Sequence, residues 1–188
     1  AGRGVTCAFC SAGKLASIDL GGTISLGGSA FESTSAKEGV NFRPELNRLT
    51  TIGDFTFSRT AVSSVTLPDS VTTVGEQAFS ENTALTSFHI GAGVTSFAET
   101  ALYNDRKIAT LTVSTDNPVY SAEHNVLYRK ADDGLHLMLS PAANTLTDYT
   151  VRAGTVKIGA SAFANNKTLT RVVLPEGLKV IDDDAFAG

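Results

Sequence analysis

Cys7 and Cys10 stand at Cys-x-x-Cys spacing, and His89, His124 and His136 are the three histidines of the chain. A zinc site needs about four such ligands, and the cysteine pair has no second pair and no histidine near it in sequence. A redox role would need a strand–helix–strand setting, which the flanking residues do not supply. The pair therefore reads as structural, either as small packed residues or as a local disulfide. Asp182-Asp183-Asp184 offers a run of carboxylates. Consecutive side chains on a coil diverge, and no Asp-x-Asp-x-Asp-Gly calcium loop is present, so a solvated turn is expected. Asp132-Asp133-Gly134 reads as a hairpin turn. Serine, histidine and aspartate all occur, yet no Gly-x-Ser-x-Gly elbow frames a nucleophile. The expectation is no catalytic residue, no metal and no cofactor. The sequon Asn166-Lys167-Thr168 falls inside a repeat and reads as incidental.

Composition agrees with a binding or structural role. The 188 residues carry a net charge of −4, and only 18% are charged. Nucleic acids and anionic membranes call for a basic face, so neither is expected as a partner. Hydrophobic residues make up 42%, enough for a packed core. No apolar run approaches the roughly 20 residues needed to span a bilayer. Hydroxyl side chains are abundant, with 17 Ser and 23 Thr. The chain starts at Ala1 with no charged leader and apolar stretch, as expected of a mature protein or a piece of a longer one.

These residues must be positioned by a repeat. One unit reads Ile158-Gly-Ala-Ser-Ala-Phe163, then Leu169-Thr-Arg-Val172-Val-Leu174-Pro175. It recurs at Val74–Phe79 with Leu85, Phe88 and Ile90, and at Ile52–Phe57 with Val62, Val65 and Leu67. Diverged or partial copies run from Phe97 to Val113, from Ile181 to Phe186, and through Ala8-Phe9, Leu15, Leu20 and Leu26–Phe31. Adjoining copies are 22 or 23 residues apart, as Ile52 to Val74 and Val74 to Phe97. In Leu-x-x-Val-x-Leu the last two apolar residues share one face of a short strand. Pro68 and Pro175 end that strand, because proline offers no N–H. Gly27, Gly53, Gly75 and Gly159 are expected at a bend on the other side. Phe31, Phe57, Phe79, Phe163 and Phe186 are expected to stack as an inner column. Asn82, Asp105 and Asn166 recur at one position and are expected to bond nearby backbone in the turn. Between Phe31 and Ile52 the copy is stretched, with Val40 and Phe42 expected to supply its strand. One such unit cannot bury its own core, but stacked units can.

Between Val113 and Leu146 the pattern breaks. Asn117-Pro118-Val119-Tyr120 is followed by an apolar run from Val126, the Asp-Gly turn and a second run, Leu135 to Leu139. This predicts one enlarged repeat with a single β-hairpin. The whole reads as one domain, 1–188, with irregular repeats over 8–51, regular repeats over 52–113, the hairpin-bearing repeat over 114–155, and regular repeats over 156–188. The last is cut short, so further repeats or a cap are expected to follow, or the end to pack on a neighbour.

Gly-x-x-Ala-Phe followed by Leu-x-x-Val-x-Leu-Pro at this period resembles the BspA-like, or Treponema pallidum-type, leucine-rich repeat. Asn117, Pro118 and Tyr120 are similar to the Asn-Pro-x-Tyr segment that family members often carry before a short hairpin. Two features depart from the family pattern. Arg152 replaces the usual proline after the strand, and Thr60, Asn82, Asp105 and Asn166 stand where the family often has cysteine. The resemblance implies an α/β leucine-rich-repeat solenoid, β-rich and curved. It would carry a parallel sheet on one side and short turns, 3-10 or helical pieces on the other. About seven coils would span on the order of 35 Å. It also implies a non-enzymatic bacterial protein, secreted or at the cell surface, that adheres to host or neighbouring-cell proteins. Two alternatives are a structural spacer or accessory domain of a larger surface protein, and a glycan-binding module.

The exposed strand positions are the candidate partner-binding face. One column reads Asp19, Thr66, His89, Thr112, Thr150 and Val173. Its neighbour reads Ser17, Ser64, Ser87, Thr110, Asp148 and Arg171. Exposed strands favour threonine in any case, but solenoids also bind partners along such sheets. A host extracellular-matrix or cell-surface protein is the expected partner. Tyr120, Tyr128 and His136 on the hairpin are a second candidate contact.

Overall fold

The computed structural model describes residues 7–188, so residues 1–6 of the expected domain lie outside the described part. The strands are β1 (Ser17–Asp19), β2 (Ser25–Leu26), β3 (Gly39–Asn41), β4 (Thr51–Ile52), β5 (Ser64–Thr66), β6 (Thr73–Val74), β7 (Ser87–Ile90) and β8 (Ser96–Phe97). They continue as β9 (Thr110–Val113), β10 (Tyr120–Glu123), β11 (Val126–Ala131), β12 (Gly134–Leu139), β13 (Asp148–Thr150), β14 (Thr155–Ile158), β15 (Arg171–Val173) and β16 (Val180–Ile181). Parallel coils stack into a β-solenoid. Most coils give a front strand and a side strand, and within each set these pair with their counterparts in the next coil. The front strands form the sets β1-β3, β5-β7-β9 and β13-β15, and the side strands form β2-β4-β6-β8.

The registers follow the repeat. Val65 pairs with Phe88 and Phe88 with Leu111, all buried, while residues on either side face outward. Val40 lies in β3 as expected, and Phe42 is buried just beyond it. Phe9, Phe31, Phe57 and Phe79 stack with ring centroids 5.2, 5.5 and 5.3 Å apart. Phe163 and Phe186 stack again at 5.0 Å. The column is interrupted between them, where Leu102 takes the phenylalanine position.

Three expectations are corrected. Opposite the front strands the expected turns and a 3-10 piece form, but no helical piece does among the described residues. Among these residues that side holds one 3-10 turn, Pro44–Leu46, with two-residue strands and turns elsewhere. The repeated glycines do open the turn on that side, as Gly53 C=O accepts Thr56 N–H, but they do not supply its left-handed residues. Gly53 and Gly75 lie outside the left-handed region, and each is needed because the neighbouring backbone is too near. A Cβ at Gly53 would come within 2.9 Å of Gly27 C, and one at Gly75 within 2.7 Å of Asp54 N. The left-handed bends fall two and six residues later, at Phe55 and Arg59 (φ 57° and 57°), Gln77 and Glu81 (52° and 58°), and Ser161 and Asn165 (56° and 61°).

The third correction concerns the hairpin. It is a three-stranded meander, β10-β11-β12, whose last strand runs parallel to β14. The Asp132-Asp133 turn forms as expected. A second turn at His124 and Asn125, with φ of 52° and 64°, closes the first hairpin. The meander is not a surface appendage. β11 divides the interior, with Leu127 in a core running from Ile18 to Tyr120 and with Val126 and Tyr128 in a second core containing Tyr149 and Phe163.

Candidate recognition face

Alternation in the front strands sends every candidate face residue away from the core. Ser64, Ser87 and Thr110 are in register, as are Thr66, His89 and Thr112. His89 Nδ1 and Thr112 Oγ1, neighbours in the second row, are 2.8 Å apart, the one side-chain hydrogen bond among these six residues. Ser87, His89 and Val173 are half-buried, and the other candidate residues are exposed. Between β9 and β13 the face is not continuous, because β10 and β11 intervene and Leu111 N–H donates instead to Asn125 Oδ1 (3.2 Å). Asp148 and Thr150 pair with Arg171 and Val173 as a separate patch.

The face is more charged at its start than the two columns alone imply. Ser17 and Asp19 pair with Gly39 and Asn41 of the stretched copy. Arg43 reaches back to Asp19, with Nε donating to Oδ1 at 2.7 Å and Nη2 2.6 Å from Oδ2. Its Nη1 donates to Glu45 at 3.2 Å. The Arg43 hydrogen bond, helped by Gly21 N–H, holds the Asp19 carboxyl below the usual carboxylate range. Asn41, Arg43 and Glu45 thus belong to this end of the face. The stretched spacing of the copy hid them, and the Arg43-Pro44-Glu45 charge pair was the available signal.

The hairpin candidates divide. Tyr120 and Tyr128 are 4% and 0% exposed and cannot touch a partner. They point inward because β10 and β11 wall off the cores. Tyr120 Oη accepts Phe97 N–H (2.9 Å), and the Tyr128 and Tyr149 hydroxyls are 2.6 Å apart. Burial pushes both of these pinned phenols up in pKa. Arg152, the departure from proline, lies over the Tyr128 ring at 5.1 Å and reaches Glu123 (3.4 Å) and Ser121 Oγ (2.9 Å). His136 is half-buried, with Nε2 2.8 Å from Asp133 Oδ1.

The remaining candidates are structural. Cys7 and Cys10 form a disulfide on a largely exposed loop, so the disulfide reading holds and the packed-residue reading does not. Asp182, Asp183 and Asp184 diverge, with Asp182 paired to Lys157 Nζ at 2.7 Å. No group of three or more metal-ligating side chains converges among the described residues. Asn82 performs the expected turn chemistry. Its Oδ1 accepts Thr60 N–H and Oγ1–H (both 2.7 Å), and its Nδ2 donates to the carbonyls of Phe57 (3.1 Å) and Phe79. Asp105 repeats this one coil on. Its Oδ1 accepts Asn82 N–H at 2.6 Å, while Oδ2 is buried without a partner. Burial, with a smaller push from the Glu81 carboxylate, raises the Asp105 pKa to about 8 against the opposing hydrogen bond from Asn82.

Comparison with known proteins agrees with this architecture. The family model for the BspA type leucine rich repeat region matches residues 6–128 and 142–188 in six copies. The internal stretch left unmatched, 129–141, holds the end of β11, the turn and all of β12. No curated protein matches the chain. A solved leucine-rich repeat protein from Eubacterium ventriosum is 24% identical with a TM-score of 0.74, over 92% of this chain and 45% of that one. The pneumococcal vaccine antigen PcpA is 19% identical with a TM-score of 0.70, over 90% and 48%. The chain spans a little under half the length of these relatives. With strand registers, phenylalanine column and family match in agreement, the chain belongs to the BspA-type leucine-rich repeat family.

Proposed function

We propose that this chain is a non-catalytic recognition module, secreted or displayed at a bacterial surface, that binds a host or neighbouring-cell protein through its front strands. The observation that carries the reading is the in-register, hydroxyl-rich patch Ser64, Thr66, Ser87, His89, Thr110 and Thr112. It is bordered at the chain's start by the Asp19–Arg43–Glu45 cluster. Such a surface offers many hydrogen bonds at fixed spacing with little charge to desolvate. A partner would be held by shape and hydroxyl contacts, with ion pairing confined to the Arg43 end. The description of one solved relative as a vaccine antigen supports an exposed location. The test is binding of the purified chain to immobilised extracellular-matrix proteins and to epithelial cells. Saturable binding that is weakened about tenfold or more by Thr66→Lys with Thr112→Lys is the expected result. Absence of saturable binding, or binding indifferent to this pair, overturns it.

A further inference from the structure

A cleft of about 530 Å³ opens on the turn side of the solenoid, where the first stack of coils meets the second. Its cause is a shortened arc. In regular coils five residues lead from the side strand to the column position, as from Ile158 to Phe163. In the hairpin-bearing coil Leu137 pairs with Ile158, and Ser140 takes the column position only three residues later. Ser140 N–H donates to Ala162 C=O just as Phe57 N–H donates to Ala78 C=O. The outward loop with its left-handed residues is missing from this coil.

The missing loop leaves backbone groups on both walls without their usual partners. In the other coils two or three N–H groups reach main-chain carbonyls of the next, as Phe55, Phe57 and Arg59 donate to Glu76, Ala78 and Ser80, while Gln77 N–H goes to Thr100 Oγ1 at 3.3 Å. The matching donors at the rim of the first stack are Thr100, Leu102 and Asn104, and they have no main-chain acceptor among the described residues. Across the cleft, the matching acceptors Ala160 and Ala164 have no main-chain donor. All of these residues line the cleft. Its floor is apolar, with Met138, Leu139 and Pro141. Glu99 and Asp184 bring a carboxylate to each wall, and the one lining cation, Arg106, is tied to Asn104 Oδ1 at 2.7 Å.

We propose that this cleft is a peptide-binding slot, taking an extended segment of a partner polypeptide in which an apolar side chain adjoins lysine or arginine. A polypeptide main chain presents acceptors to one wall and donors to the other, which is what the two open rows require. The apolar residue would cover the floor, and its basic neighbour would meet Glu99 and Asp184. The slot lies on the turn side and does not depend on the front strands.

The test selects a display library of random linear heptapeptides on the intact chain. Enriched peptides are then measured by fluorescence polarisation and amide hydrogen exchange. The expected peptides combine an apolar residue with Lys or Arg and slow exchange at the Thr100, Leu102 and Asn104 amides. Their affinity falls about tenfold or more in Ala164→Arg and is unchanged in Thr112→Lys on the front strands. Ala142→Trp, which fills the slot from its floor, gives the same loss, and thermal unfolding of both blocking variants shows that they are folded. No enrichment relative to Ala164→Arg, or binding that leaves the three amides exchanging as in the free chain, overturns the proposal.

Discussion

The regular stack over residues 52–113 and the hairpin-bearing coil over 114–155 solve the same problem in different ways. In the regular stack each coil presents the same groups to its neighbour, so one solution serves every interface. Phe57 covers Phe79, Asn82 caps the Thr60 turn, and N–H groups meet C=O groups along the turn side. The hairpin-bearing coil breaks that translation. Ser140 replaces phenylalanine, a tyrosine pair replaces the column, and the backbone ladder stops at Thr100, Leu102 and Asn104. Repetition therefore satisfies polar groups cheaply in the interior, and a single irregular coil concentrates the unmatched ones in one place.

The comparison is broken most directly at the column. Phe79 is fully buried between Phe57 and Phe88. Phe79→Ala is expected to cost about 3–5 kcal/mol in urea unfolding, by lost transfer energy plus the cavity left behind. A loss below about 1 kcal/mol would mean that the stack collapses around the gap and that the column is not a structural spine. Ser140→Ala in the irregular coil removes no such volume, so its cost should be much the smaller of the two.

How much of this was legible in the sequence depends on whether a residue type is tied to its position. Phenylalanine at the column and alternation in the front strands are packing demands that few residue types meet, so they repeat visibly. Asn82 was readable for the same reason, since an amide can cap a turn from both its ends. The left-handed bends were not readable. Phe55, Gln77 and Ser161 share no side-chain chemistry, and what they have in common is an N–H bond to the next coil, to a carbonyl from Phe55 and Ser161 and to Thr100 Oγ1 from Gln77. The inward turn of Tyr120 and Tyr128 was also hidden. The run Val126-Leu127-Tyr128 suits a strand covered on both faces, but what covers each face follows only from the position of β11 between two cores. The cleft had no signal of its own, since it follows from comparing one arc length with the others.

Asp105 sharpens the comparison with a smaller effect of opposite sign. It occupies the Asn82 position on the rim coil, with an oxygen where Asn82 carries its donating nitrogen. A protonated Oδ2 can act as that donor, and an ionised one cannot. Its pKa of about 8 in the fold, against the ordinary 3.8, means that the native state holds a proton the unfolded chain has lost. Stability from this group is complete below pH 3.8, falls as pH rises, and is lost through pH 8. Asp105→Asn supplies the donor at every pH. It is expected to stabilise the chain by on the order of 2 kcal/mol at pH 8, with little gain at pH 4, measured as urea midpoints across that range. An equal gain at both pH values would show that the carboxyl is not the titrating group.

The smallest expected effect lies in the irregular coil itself. The Tyr128 hydroxyl meets Tyr149 at 2.6 Å and accepts Arg152 N–H at 3.3 Å. Tyr128→Phe removes both contacts but keeps the ring that fills the second core and supports the Arg152 guanidinium. The expected loss is about 1–2 kcal/mol, within the range for a buried hydroxyl pair left half made. Because the pair belongs to the second core alone, the loss should appear as earlier exchange of amides in β13 to β15, while β5 to β9 keep their protection. If both regions open together, the two cores unfold as one unit, and β11 is then a shared wall that couples them.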